Sequence, residues 1–150
     1  VQHHIAVDQS IKVEQTNQST VLAFSDGIQK TIVIPAEVKR DCQRTLRARG
    51  VKSRMIALRI FAAGLLVLLE SQMRELASIT IDTEYEGREG EIRSLVLRFV
   101  SRQAPNLSRR AIVFRQIGRQ SAAHTLAWET HRGKRNPDHV VTLKELLRYC

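Results

Sequence analysis

ASITIDTEYEG, residues 77–87, begins as an apolar, β-branched run and ends in three acids, Asp82, Glu84 and Glu86. The stretch predicts a short strand that ends near Asp82. The acids stand out because 24 lysines and arginines against 15 acids give these 150 residues a formal charge of +9. Negative charge gathered at the end of a buried strand in a basic chain asks for a chemical reason.

Upstream, HHIAVDQSIKV (3–13) sets Ile5, Val7, Ile11 and Val13 on one side of an extended chain and Ala6, Asp8 and Ser10 on the other, which leaves Asp8 in mid-strand. After the polar QTNQ, the run STVLAFSDG (19–27) closes on Asp26-Gly27, a pair suited to a tight hairpin. QKTIVIP then alternates into Pro35, which ends a third strand because proline has no N–H for the ladder. Between Ala36 and Ala48, Val38, Cys42 and Leu46 recur every four residues, and Gly50 offers a stop. A second helix, about Ser53–Leu76, is apolar almost throughout Ile60–Leu69 and so is expected to be buried on more than one side.

Downstream, Ile92, Leu95, Val96, Phe99 and Val100 have helical spacing over Glu91–Gln103, and Ala104-Pro105-Asn106 breaks that helix. RAIVFRQIG reads as a fifth strand, and Ser121 caps a helix that runs to Gly133. TLKE has capping-box spacing and opens a short last helix at about 142–149. The whole is expected to be one α/β domain over residues 1–150, a five-stranded mixed sheet in the chain order β-β-β-α-β-α-β-α with helices packed on it.

Cys42 and Cys150 lack a CxxC partner, which argues against a disulfide framework or a cysteine-rich zinc site and favours a reducing, cytoplasmic setting. The apolar run falls short of the ~20 residues needed to cross a bilayer, and nothing resembling a signal peptide opens the chain, so no membrane is expected. The apolar helix leaves room for a homo-oligomer without fixing its stoichiometry.

That order of elements, with one acid within the first strand and another at the end of the fourth, resembles the ribonuclease H-like fold over about residues 4–135. In that family a first-strand aspartate lies beside a fourth-strand aspartate, and the two help to hold divalent metal ions. Asp8 in IAVDQS and Asp82 in ITIDTEY match those positions. A family acid early in the last core helix corresponds to His124 in Ala123-His124-Thr125-Leu126-Ala127, which implies an altered site. The glutamate that family nucleases carry in the first long helix is missing, with Ile56, Arg59 and Phe61 standing where it is sought.

The chemistry follows from the acids. Two hard cations about 4 Å apart can orient a water and stabilise the leaving oxygen of a phosphodiester, and Mg2+ or Mn2+ prefers oxygen ligands. Asp8 and Asp82 are the first candidate ligands. Glu84, on Asp82's side of an extended chain, replaces the missing helix acid as catalytic and metal-binding residue. His124 is a further catalytic candidate, as nitrogen ligand, proton shuttle or polar packing residue, and Trp128 and His131 share its helical face.

Lys39 and Arg40 open a basic run that continues through Arg44, Arg47, Arg49, Lys52 and Arg54, and Arg132, Lys134 and Arg135 form a second set. Both sets are candidate phosphate contacts for DNA or RNA, the alternative being solvated faces. Aromatic residues are only 5% of the chain and no nucleotide-binding glycine loop is present, which disfavours sequence-specific single-strand readout. No serine lies in a nucleophile elbow, which disfavours a serine hydrolase. The expected function is metal-dependent cleavage of structured nucleic acid. The alternatives are a non-catalytic nucleic-acid-binding domain of the same fold and a protein-interaction or assembly domain.

Overall fold

The computed structural model describes residues 2–105 and 107–150, so Asn106, part of the expected helix break, lies outside the described residues. The β-branched runs form β1 (His3–Gln9), β2 (Thr20–Asp26), β3 (Ile28–Ile34), β4 (Leu76–Asp82) and β5 (Ile112–Arg115), and a two-residue β6 (His139–Val140) joins them. The chain is α/β, with a mixed sheet of order β5-β4-β1-β2-β3-β6. β1, β2 and β3 are antiparallel neighbours, whereas β4 runs parallel to β1, β5 to β4 and β6 to β3. The β2–β3 hairpin turns on Gly27 at φ +73°, a conformation that a side chain would strain.

Among the described residues the expected five strands are therefore six. β6 escapes a reading based on alternation because it has two residues, both exposed. It is held instead by contacts to a distant strand: Oδ2 of Asp138, the residue before β6, accepts from the Thr31 N–H at 2.8 Å, and Val33 O accepts from the Val141 N–H at 2.9 Å.

The helices are α1 (Ala36–Ala48), α2 (Ser53–Leu69), α3 (Glu89–Gln103), α4 (Ala122–His131) and α5 (Leu143–Tyr149). The second helix stops at Leu69, earlier than expected, and a 3-10 turn at Met73–Glu75 leads into β4. Alternation along β2 divides the helices between the two faces of the sheet. Leu22 and Phe24 enter the main core with Cys42 and Leu46 of α1 and the whole apolar run of α2, while Val21 and Ala23 pack on Leu126 and Ala127 of α4. Among the described residues, helix α4 thus lies alone on one face.

Every residue from Ile60 to Leu69 is buried within the chain. The apolar surface that the sequence left for a second copy is therefore covered by the protein itself. Among the described residues, no helix is long and apolar enough to cross a membrane. Burial is closest at Gly64, where an added Cβ would sit 2.8 Å from Leu22 Cδ1 and 3.0 Å from Ile34 Cδ1. Gly64→Val is expected to cost about 1–3 kcal/mol through overpacking. Urea unfolding measures this, and an unchanged midpoint would show that the helix–sheet seam yields.

Lys39 does not belong to the exposed basic run. It is 0% exposed, and its Nζ donates to Gln15 O at 2.7 Å and to Thr20 Oγ1 at 2.8 Å. The loop between β1 and β2 closes over it. Cys42 and Cys150, so far apart in sequence, meet with their free thiol sulfurs 3.8 Å apart where α5 folds against α1 and α2.

Candidate metal centre

The pairing of β1 with β4 builds the centre. Their parallel register sets Val7 opposite Ile81, so the next residues, Asp8 and Asp82, follow side by side at the carboxyl ends of the two strands. Ligands of open α/β sheets gather at that end, where loops diverge and leave a crevice. Asp8, Asp82 and Glu84 each offer a carboxylate oxygen, and these oxygens lie within 4.8 Å of one another.

Each acid is held differently. Asp8 is 4% exposed, and its Oδ1 accepts from the Gln9 N–H at 2.8 Å while Oδ2 lies 2.8 Å from His124 Nδ1. Asp82 Oδ1 accepts from the Ile117 N–H at 2.8 Å, which ties the end of β4 to the loop after β5. Glu84 comes from the loop after β4, so its meeting with Asp82 is not the product of strand alternation. The next residue, Tyr85, fixes that loop: its ring lies 5.1 Å from that of Phe61 on α2, and its hydroxyl donates to Glu14 at 3.0 Å. Glu86 is exposed.

Three carboxylates this close repel one another. Burial, helped by the charge of Asp82 and opposed by the hydrogen bond to His124, pushes the Asp8 carboxyl up. Burial, then hydrogen bonding to Asp82 and the charges of Asp82 and Asp8, pushes Glu84 up to about 7, against the pull of Lys12. A hard divalent cation fits this donor set because it takes oxygen ligands and cancels the repulsion that the chain alone relieves only by holding a proton.

His124 is brought to the site without joining the three-acid cluster. Ser121 Oγ accepts from the His124 N–H at 3.0 Å, capping α4 and setting the first turn over β1, where the ring engages Asp8. No acid of α2 reaches the centre: Ile56 and Phe61 are buried in the core, and Arg59 donates to Cys150 O at 3.2 Å.

The acids and His124 line a cavity of ≈ 320 Å³ with Arg119 and Trp128. Arg119 escaped the sequence reading. Its signal was the Gly118-Arg119 step between the end of β5 and the capping Ser121. The two basic sets fare differently. Arg44, Arg47, Arg49, Lys52 and Arg54 are exposed on α1 and the junction with α2, on the face of the sheet opposite α4. Arg132 and Lys134 border a groove next to the acidic cavity, whereas Arg135 is exposed and lines neither.

Comparison with protein-family models, with curated proteins and with solved structures found no match for this chain. What stands is an α/β chain whose mixed sheet carries a three-carboxylate cluster able to hold a metal ion.

Proposed function

We propose that the chain is a metal-dependent nuclease of ribonuclease H-like fold acting on structured nucleic acid, with Mg2+ or Mn2+ as its cation. The observation that carries this reading is the convergence of Asp8, Asp82 and Glu84 within 4.8 Å. The strand pairing supports it, because the resemblance calls for a first-strand aspartate beside a fourth-strand one, and β1 and β4 are neighbours. A basic chain with an acidic centre also suits a polyanion that arrives with its cations.

Divalent cations held by Asp8, Asp82 and Glu84 would neutralise the phosphate and the charge that develops on its leaving oxygen. The chain's own groups supply position and protons. Backbone N–H groups of Gln9 and Ile117 fix the two aspartates. Asp8 engages Nδ1 of His124 and leaves Nε2 to deliver a proton to the leaving oxygen. Arg119, on the wall of the same cavity, meets the charge of the phosphate.

The second reading, a non-catalytic nucleic-acid-binding domain of the same fold, is favoured by one observation. Where a helix acid would complete the centre, Phe61 packs against Tyr85.

The test is incubation with Mg2+ or Mn2+ and labelled single-stranded, duplex, hybrid and branched substrates, beside calorimetric titration of Mn2+. Cleavage that needs the cation and stops with chelator is the expected result. Manganese binding without cleavage of any substrate would leave the binding domain. No manganese binding would remove the metal centre and, with it, the nuclease.

A further inference from the structure

Continuous with the acidic cavity lies a second groove of ≈ 540 Å³ along α4. The two share Arg119, His124 and Trp128, and the groove adds Glu129, Arg132 and Lys134. Its volume falls within the about 300–1,000 Å³ of ligand clefts and is room for a nucleotide. The sign of the charge reverses along the cleft: three carboxylates line the cavity, Arg119 stands on the shared wall, and beyond it the groove carries Arg132 and Lys134 beside the single carboxylate of Glu129.

Trp128 stands at that boundary. It is the only tryptophan of the chain, is half-buried, and belongs to neither apolar core although its neighbours Leu126 and Ala127 do. Its ring instead has polar company: the Arg132 guanidinium 5.3 Å from its centroid and the His131 ring edge-on at 5.5 Å. An indole that the core does not absorb, in a cationic groove beside a phosphodiester-cleaving centre, has the chemistry of a stacking platform for a base.

We propose that this groove binds a single-stranded segment of nucleic acid next to the phosphate to be cleaved, one base stacking on Trp128 and the backbone phosphates meeting Arg119, Arg132 and Lys134. The inference rests on the nucleic-acid reading above and narrows its substrate to one with an unpaired nucleotide beside the cut. An intact duplex offers phosphates but no free base face, so it would use the cations and leave the indole idle.

Because Trp128 is the sole tryptophan, its emission reports on the wall that the groove shares with the acidic cavity. The protein is titrated in chelator, so that nothing is cut, with a short oligothymidylate and with a blunt duplex of equal length. The oligothymidylate should quench the emission saturably and the duplex should not. By labelled-oligonucleotide anisotropy, Trp128→Ala should weaken single-strand binding roughly 10-fold, Trp128→Phe should keep most of it, and duplex binding should not change. Replacing Arg119, Arg132 and Lys134 together by alanine should lower the salt dependence of single-strand binding by about 2 in log–log slope. Thermal unfolding confirms that each variant is folded.

Single-strand binding with unchanged emission and an unchanged Trp128→Ala affinity would overturn the inference and leave the nuclease reading standing. The inference is equally overturned if replacing Arg44, Arg47 and Lys52 on the opposite face removes the binding and the groove variant does not. If neither oligothymidylate nor duplex binds at low salt, the inference and the nucleic-acid part of the proposed function fall together.

Discussion

Asp82→Asn is expected to lower cation-dependent cleavage on the order of 1,000-fold, well beyond the roughly 10–100-fold that loss of a ligand's outer partner costs. The substitution removes the charge and little else. Asparagine keeps an oxygen where Asp82 Oδ1 accepts from the Ile117 N–H, so the loop after β5 keeps its tie to β4. Stability separates a metal ligand from a structural residue here. In chelator the charge of Asp82 works against its neighbours, raising the carboxyls of Asp8 and Glu84. Removing that charge relieves the repulsion, so Asp82→Asn should unfold at the same temperature as the unsubstituted protein or a higher one. Manganese should then raise the unfolding temperature of the unsubstituted protein and leave the variant almost unmoved, because only the former gains binding energy in the native state. Loss of activity together with loss of stability in chelator would mark Asp82 as structural and sink the proposed site.

How much of this was legible in the sequence depends on whether the cause was local. Alternation around Asp8 and the end of the run at Asp82 placed both acids on strands, since a strand's own pattern decides which face each side chain takes, and the resemblance to the ribonuclease H-like fold nominated them as a pair. Glu84 was nominated by extending that alternation, yet β4 ends at Asp82 and the loop is fixed by Tyr85 on Phe61, a contact across distant segments. β6 was missed for the same reason, being held by Asp138 on Thr31 rather than by any pattern of its own. Arg119 lay between two recognised elements, but only the folded loop shows that it faces both the acids and α4. Lys39 was misread because a lysine beside Arg40 looks like surface charge. Its burial is set by a loop that ends some twenty positions earlier in the chain.

That buried lysine gives the second large effect. Desolvation holds the Lys39 ammonium down at about 8, from an ordinary 10.5, with Arg40 pushing the same way and Glu14 resisting. Among the described residues no carboxylate lies within ion-pair distance of it, and its partners are Gln15 O and Thr20 Oγ1. Below about pH 8 the folded and unfolded chains both carry the proton, and the fold bears the cost of burying the charge. Between about 8 and 10.5 the folded chain gives up the proton first, so the unfolded state binds more protons and stability rises with pH. The gain across that window is about 3 kcal/mol, at a slope of at most about 1.4 kcal/mol per pH unit. Tyrosines and cysteines of the unfolded chain ionise over the same range, so the measurement is a difference. Urea unfolding of the unsubstituted protein and of Lys39→Met is followed from pH 7 to 10. Methionine has nearly the same volume and no titrating group, so whatever it costs through the two lost hydrogen bonds is cost at every pH. The unsubstituted protein should gain on the variant steadily above pH 8. Curves that stay parallel to pH 10 would show that Lys39 keeps its proton in the fold, which would require water or a carboxylate to reach a side chain that the loop between β1 and β2 now covers.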